Sequence, residues 1–400
     1  MLNDEFNFDV IIAGAGASGL SLAWHLSNEH HDLSIALVDK SFGPSNDKTW
    51  CFWDDNAIID PTILHFQWDT IELRNNDTNI RQQLKSHHYN CIRSDQYQQL
   101  IINKLQADKR FQLVESGIIG LTSNQHHAIL STQSGELKAK YLFPSYNNQP
   151  APSLIHNKAN YLKQHFLGWD IRTKKDVFDP KVATLMDFRV PQIDGFAFVY
   201  VLPFNSREAL VELTYFTRDV LPQKHYESRL HTYLQQNWSI TTSKIHGTSI
   251  EFDIIRSEFG VIPMIDIPYA ENKRERIYPI GISGGLPKAS TGYTFSRIQK
   301  DSKRIVKALM EGNLEKKSTL SPIRYKYYDM LILHLLRNKP SHVVDIFMAL
   351  FKKNDFDTMF DFLDENLSLP EEIKIMSTVP KYTEFFRAIW ETRSKIFLLS

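Results

Sequence analysis

The chain has 400 residues, 42% of them hydrophobic, enough for a packed core divided into two or three lobes. Its 46 Lys and Arg balance 46 Asp and Glu, so no clustered excess of basic charge draws it to nucleic acid. Its two cysteines, Cys51 and Cys91, stand outside any C-x-x-C pair, which argues against a disulfide framework or a zinc site and fits a reduced, cytoplasmic setting. The acidic start MLNDEFNFDV carries no secretory leader pattern, and no run of about 18 apolar residues occurs, so docking onto a bilayer from the side is the one membrane contact left open.

The run FDVIIA (Phe8–Ala13) reads as a buried parallel strand, followed by a glycine turn, a helix over 18–27 and a second strand over 34–38 that ends at Asp39. Residues 41–90 read as an aromatic, polar connection, 95–105 as an amphipathic helix, and 111–143 as a β-meander broken by the turns ESG, SNQ and QSGE. The Pro- and Asn-rich stretch 144–160 marks a lobe boundary. From 161 to 255 the runs FLGWDI, ATLMDF, FAFVYVLPF, ALVELTYF and GTSIEFDII predict an antiparallel sheet interrupted by a helix over 224–236. A strand, a glycine loop (GISGGLPKASTG) and a helix over 291–307 follow. From 322 to the end the pattern is helical, without internal repeats.

GAGASG places Gly14, Gly16 and Gly19 at G-x-G-x-x-G spacing between strand and helix. Gly14 allows the tight turn, Gly16 the approach of a pyrophosphate, and Gly19 the close packing of helix on strand. The helix N-terminus offers free N–H groups to phosphate, and Asp39, 20 residues after Gly19, stands where an acid bonds ribose hydroxyls. The fingerprint alone does not choose NAD over FAD. Its place at the start of the chain, with a second glycine loop over 279–292, suits the split cofactor domain of an FAD protein. Gly284, Thr291 and Gly292 are then candidate cofactor contacts ahead of a helix whose N-terminus faces the flavin.

Several segments resemble the bacterial lycopene β-cyclases: NDKTWCFWDD (46–55), QHFLGWDI (164–171), MDFR (186–189), YVLPFNSREALVELTYF (200–216), GVIPM (260–264) and GGLPKASTGYTFSRIQ (284–299). Order and spacing agree over nearly the whole chain, and KTWCFW and STGYTF are far more specific than the glycine fingerprint. One departure is Phe143-Pro144-Ser145-Tyr146, where that family usually shows an Asp-Ser pair. The resemblance implies an α/β fold. An FAD-binding Rossmann-like domain, discontinuous over 1–65, 85–160 and 255–320, carries an inserted mixed or antiparallel substrate sheet over 161–254, and a helical region spans 321–400. It further implies an isomerase or intramolecular lyase that closes the ψ-ends of lycopene into β-rings, giving β-carotene by way of γ-carotene. Reduced FAD, maintained by NAD(P)H, would stabilise the cationic transition state without net redox change. A redox flavoenzyme on the same scaffold and a non-enzymatic carotenoid- or flavin-binding module are the alternatives.

Protonating an alkene calls for a carboxyl kept neutral by an apolar setting. Glu212, inside ALVELTYF, shares a strand face with Leu210, Thr214 and Phe216 and is the first candidate, a position where the family also has an acid. Asp187 is the second, although Arg189 on the same face offers it a structural ion pair; Glu258 lies beside Arg256 and Ser257 in what reads as a polar turn. A cation is stabilised by aromatic faces, at about 0.5–2 kcal/mol each, and Trp50, Trp53, Phe198, Tyr200 and Tyr293 are the substrate-pocket candidates. Arg93, at the start of the RSDQYQQL helix, is a candidate cofactor contact or a plain surface arginine. The histidine pairs at 87–88 and 126–127 lack ligand spacing, so no metal is expected. A carotene substrate dissolved in the bilayer implies peripheral membrane contact. The stripes over 330–336 and 346–351, flanked by Arg337, Lys339, Lys352 and Lys353, fit either an interfacial helix or a cap over the core.

Overall fold

The apolar run FDVIIA forms β1 (Phe8–Ala13), whose residues 10–13 are fully buried, as a strand covered on both faces requires. The structure is a computed structural model that describes residues 7–146, 160–241, 250–266, 275–314, 321–380 and 382–394. From β1 the chain passes through α1 (Ala17–Ser27), β2 (Ile35–Asp39), β3 (Thr49–Phe52), β4 (Leu64–Trp68), β5 (Thr70–Arg74), β6 (Asn79–Gln83) and β7 (Tyr89–Arg93). Next come α2 (Ser94–Gln106), β8 (Phe111–Glu115), β9 (Ile118–Ser123), β10 (Ala128–Thr132) and β11 (Gly135–Pro144). The long strands follow: β12 (Tyr161–Thr173), β13 (Val182–Asp187), β14 (Phe196–Pro203), β15 (Glu208–Thr217), then α3 (Gln223–Trp238), β16 (Ile240–Thr241) and β17 (Ile250–Ile265). The last part holds α4 (Phe295–Met310), α5 (Ile323–Asn338), α6 (Pro340–Lys353), α7 (Phe356–Leu363), α8 (Leu369–Met376) and α9 (Tyr382–Thr392).

The first sheet has the order β8-β2-β1-β11-β10-β9, parallel through the first four strands and antiparallel over the last two. Helices α1, α2 and α4 share a core with Val10, Ile12 and Leu37 on one face, a Rossmann-like arrangement with the glycine turn at the end of β1. The second sheet has eight strands in the order β16-β17-β12-β15-β14-β13-β5-β6. Helix α3 packs its Tyr226, Leu230 and Leu234 on one face with Val199, Val201, Val211 and Leu213. The other face carries Phe196, Phe198, Tyr200, Leu202, Leu210 and Phe216 against the C-terminal helices. A third, three-stranded sheet, β3-β7-β4, joins the two. By the strand alternation, Trp50 and Phe52 enter the nucleotide-lobe core while Thr49 and Cys51 face the large sheet.

The α/β architecture agrees with the sequence reading, and several details differ. Residues 41–90 are not a connection but carry five strands, and β5 and β6 extend the large sheet. Phe111–Glu115 does not open the meander. It follows α2 as a crossover strand and pairs in parallel with β2, so the meander begins at β9. The boundary drawn at 254/255 falls inside β17, which stays paired with β12 to Ile265. The helix expected from 291 starts at Phe295, because Gly292 takes a left-handed turn at φ +71°. Most of the proposed linker, 147–159, lies outside the described residues. The apolar residues of 330–336 and 346–351 are buried for the most part, so those stripes are core. Exposed apolar side chains stand instead on α8 (Leu369, Ile373) and α9 (Phe386, Trp390). Among the described residues no helix is long and apolar enough to cross a membrane.

Candidate active site

The glycine turn fits a dinucleotide. Gly14 has φ +105°, and a Cβ there would collide with the Ser145 hydroxyl; one at Gly19 would collide with the Gly14 carbonyl. Gly16 caps α1 in an extended conformation without a side-chain cap, and open space lies where its Cβ would be. The first N–H groups of α1 therefore face a vacant approach suited to a phosphate. Asp39 ends β2 and accepts from the Ala15 N–H at 2.5 Å and from the Lys40 N–H at 2.6 Å, which ties it to the turn. Ser145, in the segment that departs from the family pattern, donates to the carbonyls of Ala13 (3.1 Å) and Gly14 (3.0 Å) and braces the turn from β11. The late glycine loop folds onto the same place. A Cβ at Gly281 would strike Ser18, and Gly284 lies against the carbonyl of Pro279. Thr291 and Gly292 form the turn before α4, with Gly292 pressed on Gln164 of β12.

The second constellation sits on the large sheet. In register, Gly168 of β12 stands opposite Glu212 of β15 on one side and opposite Glu258 of β17 on the other. The three residues form a row, and a Cβ at Gly168 would stand 3.1 Å from Glu212 Oε2 and 3.1 Å from Glu258 Cγ. Glu258 is 3% exposed; its Oε2 accepts from Thr49 Oγ1 (3.0 Å) and Arg256 (3.1 Å), while its Oε1 is buried without a partner. Arg256 also donates to Asp170 (2.7 Å) and Thr49 (2.7 Å), and Arg93 pairs with Asp170 (2.8 Å) and donates to Thr49 (2.6 Å). Burial pushes the Glu212 carboxyl well above the usual carboxylate range, and the negative charge of the neighbouring Glu258 pushes it further.

Aromatic side chains surround this row. Tyr200 lies opposite Glu212 on β14 and close to Tyr293, whose hydroxyl is 3.4 Å from that of Tyr89. Burial raises the Tyr293 phenol to about 12 and lifts Tyr200 and Tyr89 as well. Trp53 packs edge-on to Tyr293 at 4.4 Å and stacks on Phe360 at 4.6 Å; Phe198 packs edge-on to Tyr200 at 5.0 Å. A cavity of about 300 Å³ opens beside them, lined by Cys51, Trp53, Thr291, Tyr293 and Phe295 among others. Glu212 does not line that cavity itself; its electrostatic neighbours Cys51 and Tyr293 do.

The family model for the lycopene cyclase protein matches residues 9–389. The chain belongs to the lycopene cyclase family. One curated relative, a lycopene β-cyclase of Pantoea ananas, is 23% identical over 304 residues, 72% of this chain and 71% of that protein. Among solved structures, a flavoprotein/dehydrogenase from Cytophaga hutchinsonii superposes with a TM-score of 0.62 at 10% identity, covering 96% of this chain and 99% of its own. A geranylgeranyl bacteriochlorophyll reductase-like protein from Thermoplasma acidophilum gives 0.61 at 12%, covering 96% and 98%. These likenesses establish the fold, which is also that of a flavin-dependent brominase and of a p-nitrophenol 4-monooxygenase.

In this lycopene cyclase family member the structure gathers Glu212, Trp53, Phe198, Tyr200 and Tyr293, and leaves three sequence candidates elsewhere. Asp187 pairs across the sheet with Val199, on the α3 face, whereas Glu212 pairs with Tyr200 on the opposite face. Arg189 (2.6 and 2.9 Å) and the Tyr233 hydroxyl (2.7 Å) occupy its carboxylate, so it is a structural anion. Trp50 turns into the nucleotide-lobe core, 5.5 Å from Phe295 and from Tyr97. Arg93 is not a surface residue; it is 4% exposed and engaged by Thr49 and Asp170. Glu258, which read as part of a polar turn, is buried within β17. Sequence reasoning passed over Gly168, Thr49, Arg256 and the opposed Cys51 and Cys91; a glycine inside the strand run FLGWDI was the available signal. Among the described residues no cluster of His, Cys, Asp or Glu could hold a metal. Replacing Asp187 with Asn is expected to lower stability by about 2–3 kcal/mol in urea titration, because Arg189 loses its charged partner, while the folded fraction keeps its ligands.

Proposed function

We propose that the protein is an FAD-dependent lycopene β-cyclase that closes ψ-ends into β-rings by acid catalysis without net redox change. The observation that carries this reading is a half-buried carboxyl, Glu212, which desolvation pushes well above the usual carboxylate range beside a second acid and an aromatic wall, within a lycopene cyclase chain. Gly14, Gly16, Gly19 and the α1 N-terminus would hold the FAD pyrophosphate, Asp39 the ribose, and the 281–292 loop the flavin side. When bound and reduced, with NAD(P)H as reductant, the flavin supplies electron density that opposes positive charge.

Glu212 gives its proton to the terminal double bond. The neighbouring internal double bond attacks the cation and closes a six-membered ring, and a ring proton then leaves to restore a double bond. That proton returns to the carboxylate, so the product is an isomer of the substrate. Trp53, Phe198, Tyr200 and Tyr293 exclude water and turn π-faces to the cation, each worth about 0.5–2 kcal/mol. The substrate is a membrane-dissolved carotene, and Leu369, Ile373, Phe386 and Trp390 are the exposed apolar side chains that would meet a bilayer in peripheral contact.

In cells accumulating lycopene, the protein is expected to yield β-ring pigments on chromatography, and in a purified assay to consume far less than one NAD(P)H per ring. A stoichiometric demand for NAD(P)H would instead favour a redox flavoenzyme. Glu212→Gln should cost about 100-fold or more in ring formation with flavin content unchanged. Since the neutral carboxyl is the donor, activity should persist above the ordinary carboxyl range and fall as pH rises through the raised pKa of Glu212. Gly19→Ala should yield protein lacking flavin absorbance, because its methyl group needs the space of the Gly14 carbonyl. Phe386→Ser with Trp390→Ser should reduce co-sedimentation with anionic phospholipid vesicles while leaving the far-ultraviolet circular dichroism unchanged.

A further inference from the structure

We propose that Glu258 is a positioning residue for the acid: it shares a single proton with Glu212 across Gly168, and the pair keeps that proton in place. The proposal rests on the reading of Glu212 as proton donor and goes beyond it. Strands β15 and β17 are second neighbours, separated by about twice the 4.7–4.9 Å strand spacing. Two carboxyls on one face can meet over that distance only if the intervening residue has no side chain, and the intervening residue is Gly168.

The hydrogen-bond inventory sets the number of protons. Glu258 Oε2 takes the Thr49 hydroxyl and Arg256, which favours a negative charge on that acid. Its Oε1 is fully buried with no donor from the rest of the protein, an arrangement that costs free energy unless a proton on Glu212 points at it. A second negative charge alongside, on the half-buried Glu212, is opposed by both desolvation and repulsion. One proton between two carboxyls satisfies all of these conditions.

The other groups facing the pair do not compete for that proton. Arg256 comes from β17, Thr49 and Cys51 from β3, Thr214 from β15, Tyr200 from β14 and Tyr293 from the loop before α4; Arg93 and Asp170 reach the pair only through Thr49 and Arg256. Contact with Cys91 and burial hold the Cys51 thiol up, and burial holds up both phenols. A carboxyl that stays protonated above the usual carboxylate range therefore reports on the Glu212 site.

The test is an infrared pH titration of the flavin-loaded protein that follows the carbonyl band of neutral carboxylic acid in native protein, Glu212→Gln, Glu258→Gln and Gly168→Ala. Native protein should retain the band to higher pH than either Gln variant, with the midpoint falling by about 1 unit or more in Glu258→Gln. Gly168→Ala, which keeps both acids and separates them, should shift it in the same direction, and the alkaline limb of cyclisation should follow. An unshifted midpoint in Glu258→Gln overturns the shared proton, as does a native protein that titrates like its single variants. The band needs no substrate. Ring formation with an unshifted band therefore overturns only the pair, whereas a shifted band without any ring formation in native protein overturns the cyclase reading and with it the role of Glu258.

Discussion

Two carboxyl side chains approach each other over a glycine that carries nothing between them, and a connected network of polar side chains is arranged around that crossing. Burying two acids side by side is unfavourable unless the remaining lone pairs find donors and one charge finds a cation. Arg256 and Thr49 meet that requirement, and each is held in turn: Arg256 by Asp170, Thr49 by Arg93. These contacts run from β17 and β12 of the large sheet to β3 and the end of β7. The network that satisfies the acids is thus also what fastens the small three-stranded sheet to the large one.

Strand alternation then separates chemistry from scaffolding. On one face of the large sheet, Val199, Val201, Val211 and Leu213 pack under α3, and the ion pair of Asp187 with Arg189 is sealed there by Tyr233. On the other, Phe198, Tyr200, Leu210 and Glu212 look toward Tyr293, Trp53 and the C-terminal helices. The loop carrying Tyr293 is clasped from below, where the buried Lys288 reaches Asp329 of α5 (3.2 Å) and Glu365 (2.8 Å), and Arg297 also reaches Glu365 (3.1 Å). The helical region thereby fixes one wall of the pocket.

Much of this was legible in the chain. The glycine turn, Asp39, the antiparallel sheet, α3 and the face shared by Leu210, Glu212, Thr214 and Phe216 follow from local spacing, which strands and helices obey. What escaped depends on pairing between distant segments. Period-two alternation places Asp187 and Arg189 together but does not say that Asp187 faces away from Glu212 across the sheet. Nothing within GVIPM or RSE says that β17 lies two strands from β15. Arg93 does stand at the start of α2, but its burial was not legible because its partner Asp170 is far along the chain. The stripes over 330–336 and 346–351 have the same periodicity whether they meet lipid or a neighbouring helix, and the partner decides.

The packing of α1 against α4 has a bearing on how the chain acquires its shape. Ser21 on α1 donates to Gln299 on α4 at 3.0 Å across 278 residues of sequence, and Gln299 also donates to Tyr97 on α2 at 3.0 Å. An N-terminal fragment emerging from the ribosome therefore has its first βαβ unit early, yet the side of α1 that meets α4 stays uncovered while the whole large sheet is synthesised. Contacts of such long range slow folding and prolong the life of sticky intermediates. Chains that stop before Phe295 would leave the nucleotide lobe without its closing helix, so premature termination anywhere in the inserted sheet yields a product prone to aggregate rather than a smaller working domain.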